Sequence, residues 1–238
     1  MTIYKKKILI VDNDLGVLEL LRNRFFKLGY KVLEAHNGSE ALKIFKAENP
    51  ALIIIEIILP KIDGYEVCRE IRKSSTTPIV ILTSLTGVSN RIKGLKLGAD
   101  DYIIKPFSQQ ELELRITSIL DRVNNNTHSN FKNDNLLHFN DLIINLGNHK
   151  VFKNNKKIRL TKIEFSILKL LVENAGKALS RKTMLENLWG YTPERYIDTR
   201  IVDVHISRLR AKLESDPSYP DFILTVRGIG YMFPNYIL

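Results

Sequence analysis

Four chemically active side chains stand directly after apolar stretches in the first half of the chain. They are Asp12, Glu56, Thr83 and Lys105. The carboxyl ends of the strands in a doubly wound parallel sheet converge on one crevice, so we expect these side chains to share a pocket. Two carboxylates, a hydroxyl and an ammonium group together suit the binding of a phosphoryl group and a divalent cation.

The segments between these apolar stretches have the spacing of helices. After the stretch that ends at Val11, apolar residues recur three or four positions apart over 17–28 and stop at Gly29. Five such strand–helix units precede residue 122. Their strands are continuously apolar, which is typical of parallel sheets covered by helices on both faces. We therefore predict an α/β fold with a five-stranded, doubly wound parallel sheet.

The pattern changes in the second half. Residues 123–135 have no apolar periodicity and many turn formers, and we interpret them as a linker. Short alternating segments follow, with turn signals at Gly147-Asn148 and Asn154-Asn155, and predict a small antiparallel sheet.

Three helices and a hairpin are predicted after this sheet. Thr161 and Glu164 have the spacing of a capping box, and Ser180 is expected to cap a second helix. The third helix is predicted over 198–214 and the hairpin over 222–233. Helices followed by a terminal hairpin are typical of a winged helix-turn-helix, an α+β fold.

Composition narrows the class of partner. The 238 residues have a formal net charge of +10, which favours an anionic partner, and the basic excess is larger in the second half. Cys68 is the only cysteine, so an internal disulfide is excluded and a reducing compartment is favoured. Glu56 interrupts the longest apolar run, so we expect no membrane span.

Three motifs of the first half resemble the receiver domain of bacterial two-component systems. They are Leu-Pro-Lys-Ile-Asp-Gly at 59–64, Gly-Ala-Asp-Asp-Tyr at 98–102 and Lys-Pro-Phe at 105–107. Residues 131–238 resemble the winged-helix domain of OmpR/PhoB-type response regulators. The resemblance implies a CheY-like, flavodoxin-like receiver domain over 1–122, the linker over 123–135 and a DNA-binding domain over 136–236. Within the group, the chain most resembles the cyanobacterial and plastid-encoded regulators of red-algal type.

The resemblance gives each pocket residue a role. Glu56 occupies the position of the phosphate-accepting aspartate, Asp12 and Asn13 those of the Mg²⁺ ligands, and Lys105 that of the phosphate-pairing cation. Thr83 and Tyr102 occupy the switch positions. Two of these residues depart from the family pattern, because Glu56 replaces aspartate and Asn13 lacks the usual negative charge. Asp14 compensates only partly, so Mg²⁺ binding is expected to be weakened. The peptide bond between Lys105 and Pro106 is expected to be cis.

Glu56 is longer than aspartate by one methylene, so an incoming phosphoryl group would be misplaced against the metal and Lys105. The same extension places a negative charge nearer to Thr83 and Lys105, partly like a phosphorylated aspartate. We therefore hypothesise a regulator that rests in the active state without phosphorylation. The alternative is an ion pair between Glu56 and Lys105 that only compensates two partly buried charges.

The helix 198–214 resembles the recognition helix of the family. Val202, Ile206, Leu209 and Leu213 cluster on its core side, and the opposite side is expected to face a major groove. The hairpin 223–233 is expected to act as a wing. The residues predicted to contact double-stranded DNA are Arg200, Ile201, Val204, His205, Ser207, Arg208, Arg210, Thr225 and Arg227. Asp203 is expected to cap the helix or to pair internally.

A second surface resembles the dimer interface of the family, where opposite charges pair across a two-fold axis. Its residues are Arg91, Asp100, Asp101, Glu111, Arg115 and Arg122. The resemblance also implies contact of the loop 190–197 with RNA polymerase, a possible sensor histidine kinase as partner, and no membrane. It places the protein in the plastid stroma or the bacterial cytoplasm.

Binding of repeated promoter sites by a homodimer is the leading interpretation. We expect no enzyme, since the sequence has no glycine-rich phosphate loop, no nucleophile elbow and no metal-binding histidine cluster. Two alternatives stay open at this point: a first half that serves only as a protein-interaction module, and a degenerate phosphotransfer enzyme.

Overall fold

The computed structural model describes residues 6–121, 136–190 and 198–235. The chain divides into two compact units, Met1–Leu112 and Glu113–Leu238. The predicted linker 123–135 lies outside the described residues, and the domain boundary at residue 122 stays a prediction. Within the described ranges, no helix has both the length and the hydropathy needed to cross a membrane.

The first unit has the predicted alternation of strands and helices. Its strands are β1 (Lys7–Val11), β2 (Lys31–Ala35), β3 (Leu52–Ile55), β4 (Ile79–Thr83) and β5 (Asp101–Ile104). The helices are α1 (Leu15–Lys27), α2 (Gly38–Glu48), α3 (Gly64–Ser74), α4 (Val88–Lys96) and α5 (Gln109–Asp121), and α5 crosses the division between the units. All neighbouring strands are parallel, in the order β2-β1-β3-β4-β5. The predicted doubly wound fold is confirmed.

The register of the sheet brings the carboxyl ends of β1, β3, β4 and β5 close together, with β4 extending beyond β3. Val11 pairs with Ile55, and Ile55 pairs with Ile81 on the next strand. Strands β1, β3 and β4 are almost completely buried, because helices cover the sheet. The side chains of these strands are apolar on both faces of the sheet. The residues that follow these strands therefore lie at one edge of the sheet.

The second unit contains two antiparallel sheets and three further helices. The four-stranded sheet consists of β6 (Leu136–Phe139), β7 (Leu142–Asn145), β8 (Lys150–Lys153) and β9 (Lys156–Ile158). The remaining elements are α6 (Lys162–Glu173), β10 (Leu179–Ser180), α7 (Arg181–Trp189), α8 (Arg200–Leu213), β11 (Leu224–Val226) and β12 (Gly230–Met232). Strands β10, β12 and β11 form the second sheet, in that order.

Local capping signals explain where the helices begin. Thr161 and Glu164 form the predicted capping box at the start of α6, and the Ser180 side chain accepts a hydrogen bond from Thr183 N at 3.0 Å at the start of α7. The third helix begins at Arg200 rather than at Asp198, whose Oδ1 accepts a hydrogen bond from Arg200 N at 3.1 Å.

Strand β10 was not predicted from the sequence. It pairs with β12 so closely that a Cβ atom at Gly230 would collide with the carbonyl oxygen of Leu179. Only glycine permits this approach of the two backbones. A two-residue strand has no periodicity of its own, so its position depends on the hairpin it joins.

Candidate functional site

Lys105 joins the two carboxylates of the predicted pocket. It follows β5 and its peptide bond to Pro106 is cis. Its Nζ lies 2.6 Å from Asp12 Oδ2 and 2.9 Å from Glu56 Oε2. Burial alone would lower the pKa of Lys105, but hydrogen bonds to Asp12 and Glu56 and their negative charges outweigh it and raise the pKa. Lys105 is therefore held in its protonated form between the two acidic side chains.

The carboxylate of Glu56 is buried, with 4% of the residue exposed, and both of its oxygens have donors. Oε1 accepts hydrogen bonds from Ile57 N at 2.6 Å, from Ile58 N at 3.1 Å and from the Thr83 hydroxyl. Burial alone would raise the pKa of Glu56, but the hydrogen bonds from Thr83, Lys105 and Ile58 N and the charge of Lys105 together lower it. The side chain is held as an anion.

Thr83 and Tyr102 both contact the loop that leads into α4. Thr83 Oγ1 accepts a hydrogen bond from Leu85 N at 3.3 Å, and Tyr102 donates from its hydroxyl to Leu85 O at 2.9 Å. Tyr102 points inward, with only 5% of the residue exposed, and this burial raises the pKa of its phenol. The structure thus connects Glu56, through Thr83, to the same loop that Tyr102 holds.

A second tyrosine contacts α4 and was not predicted from the sequence. Tyr65 is buried at the start of α3, and its hydroxyl donates to Asn90 O in α4 at 3.3 Å. Lys93 Nζ lies 4.3 Å from the centroid of the Tyr65 ring, within the range of a cation–π contact. No local pattern indicates this role, because an aromatic residue in the first turn of an amphipathic helix is normally part of the core.

The acidic residues at the predicted Mg²⁺ position already have other partners. Asp12 and Glu56 are both paired with Lys105, and Asp12 Oδ1 also accepts a hydrogen bond from Asp14 N at 3.0 Å. Asp14 caps α1 by accepting from Gly16 N at 2.8 Å, and Asn13 is exposed. Among the described residues no group of three acidic, histidine or cysteine side chains could hold a metal ion. Mg²⁺ is usually held by one or two carboxylates together with waters, so its binding here would compete with Lys105 for Asp12 and Glu56.

Only part of the predicted DNA-contacting set is exposed. Arg200 has 61% of its side chain exposed, and the remaining exposed members are Ser207, Thr225 and Arg227. Ile201, Val204 and His205 are buried, so their assignment to the groove-facing side is corrected. The physical reason is that α8 packs against both α6 and α7, which covers a wider arc of the helix than one apolar stripe. His205 lies against Trp189 of α7, with ring centroids 5.4 Å apart.

Arg208 and Arg210 have partners inside the domain. The Arg208 side chain is 12% exposed, and its Nη2 lies 2.9 Å from Oε1 of the buried Glu164. Arg210 donates to Ile223 O at 2.9 Å and to Thr225 Oγ1 at 2.8 Å, and so connects α8 to the hairpin. Both arginines therefore have a structural partner in the described residues, and their contact with DNA stays a prediction.

The expectation that Asp203 pairs internally is confirmed. Asp203 Oδ1 accepts hydrogen bonds from Arg181 Nε and from the Tyr231 hydroxyl, each at 2.7 Å. The pKa of Tyr231 is raised to about 12, first by burial and second by the hydrogen bond to Asp203. This network joins α7, α8 and the wing strand β12, so the wing has a fixed position relative to α8.

The predicted dimer surface is only partly available. Asp100 is buried, pairs with Arg72 at 2.8 Å and accepts a hydrogen bond from Ile79 N at 2.9 Å, so its assignment to a surface pair is corrected. Asp101 is buried too and accepts from Tyr102 N at 2.8 Å. Arg91, Glu111 and Arg115 are partly exposed. Arg122 lies outside the described residues, as do residues 191–197 of the loop 190–197 that is predicted to contact RNA polymerase.

Comparisons with known proteins agree with this architecture. Residues 8–117 match the response regulator receiver domain family, and residues 155–233 match the C-terminal domain of transcriptional regulatory proteins. The chain is 53% identical to the "Probable transcriptional regulator ycf27" of Porphyridium aerugineum, covering 96% of both chains. It is also 53% identical to the protein of the same name from Cyanophora paradoxa, covering 99% of both chains.

A solved structure supports the same class. The response regulator DrrB, a Thermotoga maritima OmpR/PhoB homologue, is 36% identical, with 96% of this chain and 98% of that chain covered and a TM-score of 0.50. A receiver domain followed by a DNA-binding domain defines a transcriptional regulator of the response-regulator type. The chain belongs to the OmpR/PhoB-type response regulators.

Proposed function

We propose that this regulator controls transcription without accepting a phosphoryl group, with Glu56 as a resident negative charge. The observation that supports it is the set of donors around Glu56. Thr83 and Lys105, the residues that would hold a phosphoryl group in the family, already bind this carboxylate. A charge that is built into the chain requires no kinase to install it.

Two features of the pocket oppose phosphorylation. Both Glu56 oxygens have partners, so an attacking oxygen would have to leave Lys105 or the backbone donors of Ile57 and Ile58. Binding of Mg²⁺, which would neutralise the transferred group, is expected to be weakened, because Asp12 is paired with Lys105 and Asp14 caps α1. Phosphoryl transfer depends on positioning and on such cations, so its rate should be very low.

The switch residues support an active resting state. Thr83 is bonded to the Glu56 carboxylate, and Tyr102 is turned inward and bonded to Leu85 O. In this family an inward aromatic residue accompanies the hydroxyl that binds the acceptor. We infer that Glu56 maintains this arrangement permanently.

The output is proposed to be binding of repeated promoter sites by a homodimer. The exposed cations Arg200 and Arg227 would contact the phosphates or base edges, with Ser207 on the same face of α8. Contact with RNA polymerase through 190–197 remains part of this proposal. The algal origin of the similar regulators favours the plastid stroma as the compartment.

Intact mass after incubation with acetyl phosphate and Mg²⁺ tests the receiver half of the proposal. The wild type and Glu56→Gln should both stay unmodified, while Glu56→Asp should gain a phosphoryl group because it restores the shorter acceptor. Rapid stoichiometric modification of the wild type, but not of Glu56→Gln, would refute the proposal.

A further inference from the structure

A buried carboxylate in the second unit contacts two cations of α8. Glu164 lies in the first turn of α6, and none of its side chain is exposed. Its Oε1 is 2.9 Å from Arg208 Nη2, and its Oε2 is 2.6 Å from Lys212 Nζ. Arg208 and Lys212 are four residues apart, so both project from one side of α8. The predicted recognition helix is therefore attached to α6 at two points.

The capping box does not require this charge. Glu164 Oε2 accepts a hydrogen bond from Thr161 N at 2.8 Å, and a neutral glutamine could accept the same bond. A carboxylate that is fully buried is costly unless cations compensate it. The negative charge of Glu164 is thus explained by its two partners on α8 rather than by the start of α6.

Neighbouring groups restrict both cations further. Arg208 Nη1 lies 3.5 Å from His205 Nδ1, and His205 itself packs on Trp189 of α7. Lys212 Nζ also donates to Arg159 O at 3.1 Å. These contacts fix the rotation of α8 about its axis, because a rolled helix could not keep Arg208 and Lys212 on Glu164 together. The exposed side, with Arg200 and Ser207, is thereby aimed outward.

We propose that Glu164 is a positioning residue for DNA binding, and that Arg208 acts through Glu164 rather than by reading a base. The inference rests on the proposed role of α8 as the recognition helix. Its consequence is specific: loss of either partner should weaken binding to every DNA sequence alike, because the whole helix shifts. Loss of a base contact would weaken only the preferred sequence.

The test uses the full chain and two duplexes, one selected by the wild type from a randomised library and one of scrambled sequence. Affinities are measured by fluorescence anisotropy over a range of salt concentrations. Glu164→Gln and Arg208→Met should each weaken binding to both duplexes about tenfold, and the double variant should bind no more weakly than the weaker single variant. The slope of log K against log salt should stay unchanged, whereas Arg200→Ala should reduce it by about 0.9.

A conservative variant separates positioning from base contact and is independent of Glu164→Gln, should that variant fold poorly. Arg208→Lys keeps a cation within reach of Glu164 and should recover most of the affinity lost in Arg208→Met. A bidentate guanine contact would not be restored by lysine.

Three outcomes would overturn the proposal. They are a loss in Arg208→Met confined to the selected duplex, a reduced salt slope in that variant, and wild-type binding by a folded Glu164→Gln variant. If Arg200→Ala also binds like the wild type with an unchanged slope, the assignment of α8 fails as well, and the two failures are distinguishable. Thermal unfolding of each variant confirms that it is folded at the assay temperature.

Discussion

The side chain of Glu56 is one methylene longer than aspartate, and its carboxylate contacts donors at the ends of three strands. Ile57 N and Ile58 N, Thr83 and Lys105 all converge on it. The side chain types of this pocket were predictable from the sequence, because each stands directly after an apolar strand. The pairing of Lys105 with both Asp12 and Glu56 was not predictable, because it depends on the distances between strand ends.

The lowered pKa of Glu56 predicts how stability depends on pH. A depressed carboxyl pKa contributes stability above the ordinary value of 4.5, and this contribution is lost as the pH falls through the folded-state value. Glu56→Gln should therefore lower the free energy of unfolding by about 2 kcal/mol at pH 7. The difference from the wild type should shrink below about pH 4.5. Denaturant unfolding at several pH values measures this.

Glu48→Gln is the matched control for that experiment. Glu48 pairs with Lys7 at 3.0 Å, but both side chains are well exposed, so water and salt screen the pair. Little change in stability is expected. A difference between wild type and Glu56→Gln that does not vary with pH would contradict the assigned pKa shift.

At the scale of elements, local patterns predicted most helices and strands, and long-range packing decided the rest. The capping box of Thr161 and Glu164 was visible in the sequence because its residues are three apart. The pairing of Glu164 with Arg208 was not, because 44 positions separate them. Likewise, the burial of Val204 depends on two helices packing on α8 at once, which a single periodicity does not reveal.

The network of Asp203, Arg181 and Tyr231 predicts the stability of the wing. Tyr231→Phe removes the hydroxyl that donates to Asp203 at 2.7 Å, and should lower the free energy of unfolding by about 1 kcal/mol. Urea denaturation of the full chain checks this. Tyr219→Phe is the control, because Tyr219 is 81% exposed and its variant should unfold like the wild type. Equal midpoints for both variants would exclude the network as a source of stability.

At the scale of the whole molecule, three charged residues at the positions of the family's dimer interface are accessible on the described surface. They are Arg91, Glu111 and Arg115, all partly exposed. Asp100 is excluded from that set by its buried pair with Arg72, which no local pattern indicated. The resemblance indicated this surface only as a region of the sequence, because burial separates the members of one charged motif.

Charge reversal tests the proposed homodimer. Glu111→Lys should weaken self-association about tenfold, because like charges would then face each other across the two-fold axis. Adding Arg91→Glu to this variant should restore association, because the positive and negative charges at residues 91 and 111 are then exchanged. Sedimentation velocity of the full chain measures both. Unchanged association of the single variant would remove these residues from the interface.

The most direct measurement is the DNA affinity of the full chain, with and without acetyl phosphate and Mg²⁺, for three proteins: wild type, Glu56→Gln and Glu56→Asp. The duplex is the one that the wild type selects from a randomised library. We expect tight binding by the wild type that acetyl phosphate does not change, weaker binding by Glu56→Gln, and binding by Glu56→Asp that strengthens only after treatment. Equal affinity of wild type and Glu56→Gln, or a gain in the wild type on treatment, would contradict a resident charge at residue 56 as the control of DNA binding.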